Sequence, residues 1–534
     1  MRDPNYPEEV KMKKALSLLS LLISMLFLTV IITSCNSQEQ VVGNGKCKHR
    51  DKNDDLLCDR CGQSYDDGVE PKDRTVTDVN GFVFLISAHD QANAYLTGYK
   101  GNKKDIVIPS TCEGLPVSTI KANAFSNASI TSIHIPASVI YIPDDVFNGC
   151  DNLKSITVDK ASKGFVSIDG NLYSSGGKSL LKYAIGKEDT VFNIPDGVKH
   201  ISMSAFRGAK YLKEITIPYG VENIYEKTFT GLNIEKINIP GSVQEIGARA
   251  FEDCTSLVSV TIENGVSVID YYVFKNCSSL ESIVIPNSVR EFWDMVFEGC
   301  TSLKSAVVGS GISNEPYGMF EGCTALENVI INEGAYSIFP YAFRGCTSLK
   351  SVTIPETVKY ISDYSFEGCS ALTEIVIPDR VTRIESNVFK GCSALSRVVI
   401  PENVTYIGPE AFYECTSLTE ITLPDKVTAI HKYAFYGCSS LKEIHLPKQL
   451  ESISIYTFYG CTSLTTVYIP ESVKSIEVCA FGNCTSLDEA VFEVTTGWRI
   501  SSSISIFEKR ISNPKLAAKC LSDDYSDKHW VRYS

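Results

Sequence analysis

The sequence predicts a mainly β fold, a curved solenoid of about fifteen 23-residue turns joined by parallel sheet. Three observations predict it. A phenylalanine recurs every 23 residues from Phe251 to Phe481 without a slip. In each period a short run alternates apolar and polar side chains, the pattern of a strand with one buried face. A proline closes most of these runs, and proline has no amide hydrogen with which to continue a ladder.

The anchors are Phe251, Phe274, Phe297, Phe320, Phe343, Phe366, Phe389, Phe412, Phe435, Phe458 and Phe481, and the series extends upstream through Phe229, Phe206, Phe147 and Phe125. Single-residue deletions follow Phe125 and Phe229. One turn reads Phe343-x-Gly-Cys-x-x-Leu349-x-x-Val352-x-Ile354-Pro355-x-x-Val358-x-x-Ile361. Val352 and Ile354 alternate with Ser351 and Thr353 as a strand, Pro355 turns a corner, and Val358 and Ile361 supply a second buried edge. One turn cannot bury these side chains alone, whereas stacked turns make a continuous core. Between Phe147 and Phe206 lie 36 extra residues, an insertion at about 159–194 in which Ile168-Asp169-Gly170-Asn171-Leu172-Tyr173 reads as a hairpin on an Asp-Gly turn.

With its Ile-Pro and Phe-x-Gly-Cys signatures, the repeat resembles the BspA-like leucine-rich repeats of surface proteins from host-associated microbes, over roughly residues 80–534. Asn93-Ala94 through Gly98-Tyr99 resembles the family's entry segment. Trp498, Asn513-Pro514, Ala517-Ala518 and Trp530 resemble its closing cap. The expected organisation is a leucine-rich repeat solenoid over 75–485 and a cap over 486–534. The resemblance implies an adhesin-like receptor for an extracellular or host protein, or for a surface glycan.

Ahead of the array, Met12-Lys13-Lys14 opens an apolar run from Ala15 to Ile32 that ends in Ile32-Thr33-Ser34-Cys35. Basic residues, an apolar stretch and small residues before a cut site are the pattern of an export signal, here residues 1–34. The ending resembles the bacterial lipobox, which makes Cys35 the lipidated anchor of an exported, surface-exposed chain. A retained membrane helix is the competing reading, since 18 residues just suffice to span. Residues 35–74 then form a stalk carrying Cys47, His49, Cys58 and Cys61, a ligand set that suits tetrahedral zinc. A disulfide with a spare thiol is the alternative. Calcium on Asp51, Asn53 and Asp55 fits poorly, because Leu56 stands where the loop needs glycine and Gly62 where it needs an acid.

Twelve of the 19 cysteines sit three residues after an anchor: Cys150, then every turn from Cys254 to Cys484. Ala128, Ala209 and Leu232 take the same position elsewhere, so it asks for a fairly small apolar side chain. Parallel side chains on adjacent turns are badly aimed for bridging, which predicts buried free thiols. The seven histidines, His49, His89, His134, His200, His431, His445 and His529, form no catalytic grouping, and no nucleophile-elbow, zinc-protease or phosphate-loop motif is present. The expected protein is not an enzyme. Its net charge of -13 disfavours nucleic acid as partner.

A stacked array offers a long sheet, suited to a macromolecule more than to a small molecule. The outward column of its strands runs Thr261, Val284, Val307, Ile330, Thr353, Val376, Val399, Thr422, His445 and Tyr468. It is either a contact surface or strand propensity at work. A second column, two residues before each anchor, carries Tyr272, Tyr341, Tyr364, Tyr433 and Tyr456, which suit either interfaces or solenoid corners. Two further functions compete with the receptor: a structural spacer of the cell envelope, and an accessory module of a carbohydrate-active system.

Overall fold

The structure, a computed structural model, describes residues 73–90, 92–500, 512–524 and 526–532. These form a parallel β solenoid of about 17 turns with almost no helix. Each regular turn contributes a longer strand such as Asn328–Ile331, with residues alternately exposed and buried, and a two-residue strand such as Val268–Ile269. Both strands pair in parallel with their counterparts one period away: Ser305 lies beside Asn328 and Val308 beside Ile331, while Val268 lies beside Glu291. Two walls therefore rise together. The third side is a tight run of turns carrying the anchor phenylalanine.

Twelve consecutive ring contacts join Phe206 to Phe481, with centroids 4.9 to 5.8 Å apart and planes within 23° of parallel. Every ring in that stack is buried, and Leu, Ile and Val from both walls pack around it in one cluster. Offset stacking adds to the hydrophobic gain, at roughly 0.5–1.5 kcal/mol per pair.

Two backbone positions make the anchor turn possible. The residue two places before the anchor and the residue two places after it are both left-handed in nearly every turn, for example Tyr364 (φ 59) and Gly368 (φ 74) around Phe366. The later position is mostly glycine, which adopts this geometry freely; Gly368 also lies within 3.7 Å, measured from an added Cβ, of Gly345. The earlier position holds tyrosine in five turns (Tyr272, Tyr341, Tyr364, Tyr433, Tyr456), glycine once (Gly318) and other residues elsewhere, the non-glycine ones at a cost of about 1 kcal/mol each.

The cysteine column has a second role beyond filling space. Each of its twelve thiols donates to the carbonyl of the anchor phenylalanine one turn back, at 2.9 to 3.4 Å. That carbonyl already accepts an amide within its own turn, as in Cys369 N to Phe366 O at 3.1 Å. The thiol is thus a weak donor for a lone pair that has no water to meet.

The insertion contains the predicted hairpin: Phe165–Ile168 and Asn171–Ser174 pair antiparallel across Asp169 and Gly170, both left-handed. It also contains a whole turn that the phenylalanine period does not reveal. Tyr183 lies one period before Phe206, packs against it at a tilt of 30° with centroids 5.4 Å apart, and is fully buried. At the first end Tyr99 approaches Phe125 at 6.2 Å. The count of fifteen grows because a tyrosine can fill the anchor position when its hydroxyl is tolerated.

Both ends are closed. At the first, Arg74–Thr77, Phe82–Ile86 and Ala94–Tyr99 run antiparallel before the parallel order begins with Leu115–Ile120. At the other, Asn513 caps the helix Pro514–Lys519, which buries Ala517 and Ala518, and Trp498 and Trp530 cover the last turn. Two interior turns are irregular, and the one holding Thr422 has no long strand. Between Val308 and Phe320 the short strand is missing, and the Asn314 side chain takes its place by accepting from Phe292 N at 3.0 Å and donating to Phe292 O at 2.7 Å. A cavity of about 30 Å³ remains beside Ile312, Met319, Ala335 and Ala342.

These packing facts set expected stabilities. Phe366→Ala should cost about 3–5 kcal/mol, because two stacking neighbours lose their partner and a cavity opens. Ala335→Val restores the residue used at this position in most turns and should stabilise by about 0.5–1 kcal/mol. Thermal unfolding of the two variants, read against the parent chain, checks both signs.

Candidate binding face

The longer strands send alternate side chains inward and outward, so their outward residues align turn by turn. Val284, Val307, Ile330 and Thr353 are successive register partners, as are Val376 with Val399 and His445 with Tyr468. Their apolar members are open to solvent: Val284 is 54% exposed, Ile330 50%, Val376 63% and Val399 41%. Val307 is half-buried, and Thr261, Thr353 and Thr422 are exposed. His445 and Tyr468 stack at 5.2 Å. The column predicted from sequence is therefore exposed along the wall in three registered runs, Val284 to Thr353, Val376 to Val399 and His445 to Tyr468, and Thr422 lies outside any strand. A separate outward run on the first long-strand sheet, Val107, His134 and Thr157, registers in the same way, and the sequence reading did not include it.

Charged residues line one flank. Glu281 with Lys304 at 3.2 Å and Glu327 with Lys350 at 2.8 Å pair across adjacent turns. Exposed pairs of this kind contribute about 0–1 kcal/mol and act chiefly as a polar rim. A cavity of about 320 Å³ opens on the same wall over Glu214, Thr216, Lys236, Asn238 and Thr261.

The tyrosine column lies at the anchor corner, away from this face. Tyr341 stacks on Tyr364 at 4.7 Å and Tyr433 on Tyr456 at 5.1 Å, while Tyr272 receives Arg249 and Lys275 over its ring. A companion column one residue after the anchor, Tyr413, Tyr436 and Tyr459, stacks at 4.7 and 5.2 Å. Its 23-residue spacing was visible in the sequence. Rings that face each other present only edges outward, so these columns stiffen the corner.

The chemistry available is that of a surface. Among the described residues no group of three or more His, Cys, Asp or Glu is placed to hold a metal ion. His134, His200, His431 and His445 sit in separate turns. Burial pushes the column thiols up, Cys254, Cys300 and Cys392 to about 12, so they stand as neutral thiols inside the core. The larger cavity, about 410 Å³, lies on the short-strand wall beside Asp144, Tyr225, Glu226, Glu245 and Asp270, and desolvation raises Asp144 and Asp270. Cys35 and the Cys47, His49, Cys58 and Cys61 set lie outside the described residues.

Six copies of the BspA type leucine rich repeat region are recognised, over residues 118–178, 186–304, 267–396, 313–418 and 405–503. A leucine-rich repeat protein from Bacteroides ovatus, solved by crystallography, is 28% identical over 75% of this chain and 94% of its own, with a TM-score of 0.53. A leucine-rich cell surface protein from Faecalibacterium prausnitzii is 24% identical over 79% and 95%, with a TM-score of 0.33. The pneumococcal vaccine antigen PcpA is 17% identical over 79% and 99%, with a TM-score of 0.31. No curated protein matches the chain significantly.

The thiol column carries its own expectation. Titration of unfolded, unreduced protein should find Cys150 and the eleven thiols from Cys254 to Cys484 free, as their carbonyl-directed geometry requires. A ladder of mixed disulfides would contradict it.

Proposed function

Since this chain belongs to the BspA type leucine rich repeat family, we propose that it is a surface-displayed, non-catalytic receptor whose ligand docks on the long-strand wall. The observation that carries the reading is the exposed aliphatic stripe. Strand propensity favours β-branched residues here, but it does not require Val284, Ile330, Val376 and Val399 to stand open to water, and an apolar strip with a polar rim is the anatomy of a contact surface. Aliphatic groups along the wall, with His445 and Tyr468 as its aromatic pair, favour a protein partner over a glycan, which would call for open ring faces.

On the N-terminal side the proposal is a lipid on Cys35 that tethers the array to the membrane and one zinc held by Cys47, His49, Cys58 and Cys61. Cys35→Ser should shift the chain from the membrane fraction to the soluble one. Elemental analysis should find zinc that is lost in Cys58→Ser, and a mass two hydrogens lower with no zinc would mean a disulfide instead.

The receptor is tested by screening the immobilised full-length chain against extracellular matrix proteins and surface glycans. Saturable binding to a protein is expected, weakened about tenfold or more by Val376→Asp with Val399→Asp, since each aspartate desolvates a charge without a partner. The melting temperature should stay close to the parent's because both side chains are already in water. No saturable partner in either class favours an envelope spacer.

A further inference from the structure

We propose that the solenoid has a polar joint at Asn171–Tyr183, where the first turns open from the remainder as a unit, and that charge on Lys182 promotes the opening.

The interior changes hands at this point. One apolar cluster runs from Phe82 to Ile156 and takes in Leu172 and Ala184, and a separate one runs from Tyr173 and Leu180 to Trp530. Neighbours in a single strand thus face different cores: Leu172 belongs to the first and Tyr173 to the second. The sheet containing Ser155–Val158 ends with that strand, and the next long-strand sheet starts afresh at Val191–Asn193; the long wall also breaks after Thr353 and after Val399, but there the apolar core and the ring stack run through without a gap. The ring stack stops at Phe147 and resumes at Tyr183.

What crosses the joint is a small apolar contact, Leu172, Leu181 and Ala184 on the first cluster, the exposed pair Lys154–Glu188, and a few hydrogen bonds. Gly186 N donates to Leu153 O and Ile156 N to Gly170 O, each at 2.8 Å, and the Asn171 side chain accepts from Ala184 N at 2.9 Å. Of the nine buried side-chain atoms without a partner among the described residues, five fall between Ser138 and Tyr183: Ser138 Oγ, Asp145 Oδ1, Asn171 Nδ2 and the hydroxyls of Tyr173 and Tyr183. Each raises the free energy of the closed state relative to an opened, hydrated one.

Lys182 is 4% exposed, and its ammonium donates to Ser204 O at 3.0 Å. The ionisable groups around it are Cys150, Arg207 and Asp144, too little to replace its lost hydration. Burial accordingly lowers its pKa from 10.5 to about 8. The sign follows from linkage. The opened state binds the proton more tightly, so opening becomes easier as pH falls from 10.5 towards 8 and stays easy below.

The thiol column supplies built-in reporters, since an alkylating reagent reaches a buried cysteine only when its turn opens. On the full-length native protein, iodoacetamide labelling read by peptide mass spectrometry should modify Cys150 at least about tenfold faster than Cys369 at pH 7.5. That ratio should shrink at pH 9.5, and should be small and indifferent to pH in Lys182→Met, which keeps the side chain's length without its charge. Equal rates for Cys150 and Cys369 would overturn the joint. A fast Cys150 that ignores both pH and Lys182→Met would overturn the role of the lysine, since fraying from the chain end has no reason to depend on it.

Discussion

The structure rests on one constraint: no turn of this chain can bury its own apolar side chains. A single 23-residue unit has one phenylalanine, one leucine and a few branched residues on three sides of a triangle, and nothing of its own to close over them. Stacking solves this by making each turn the floor of the next. The parallel walls, the phenylalanine stack and the thiol-to-carbonyl ladder all describe the same contact, repeated at one spacing. Because the first and last turns have a neighbour on one side only, an antiparallel strand group and a tryptophan-bearing helical cap close the ends.

The same constraint explains what varies. Inward positions are held to Phe, Leu, Ile, Val and Cys, since any change is felt by two neighbours. Outward positions answer only to strand propensity and to whatever meets the wall. A registered stripe of exposed valine and isoleucine is therefore informative in a way that a buried valine is not. The fold tolerates it, but does not require it. Strain is distributed in a similar way: left-handed non-glycine residues recur before the anchors because the corner demands that geometry, and stacked tyrosines offset part of the cost in the turns that have them.

Departures from the period mark where the array is least uniform. At Asn314 a side chain imitates a missing strand, and the cost is a small void. At the insertion the departure is larger, because a hairpin, a buried lysine and several unpartnered polar groups stand where the stack would otherwise run through. A one-dimensional protein transmits order only between neighbours, so a weak interface divides it.

The sequence by itself determined the turn length, the buried face of each strand, the Asp-Gly hairpin, the outward column and the buried free thiols, because each follows from periods of two or 23 residues written along the chain. Only the tertiary structure decided what depends on contacts between turns. Tyr183 counts as an anchor because its ring lands on Phe206; the cysteines reach back to carbonyls; Leu172 and Tyr173 serve different cores; and Tyr413, Tyr436 and Tyr459 stack at a corner instead of standing free. A period shows which residues recur at the same place, but where their atoms meet depends on the geometry of the stack.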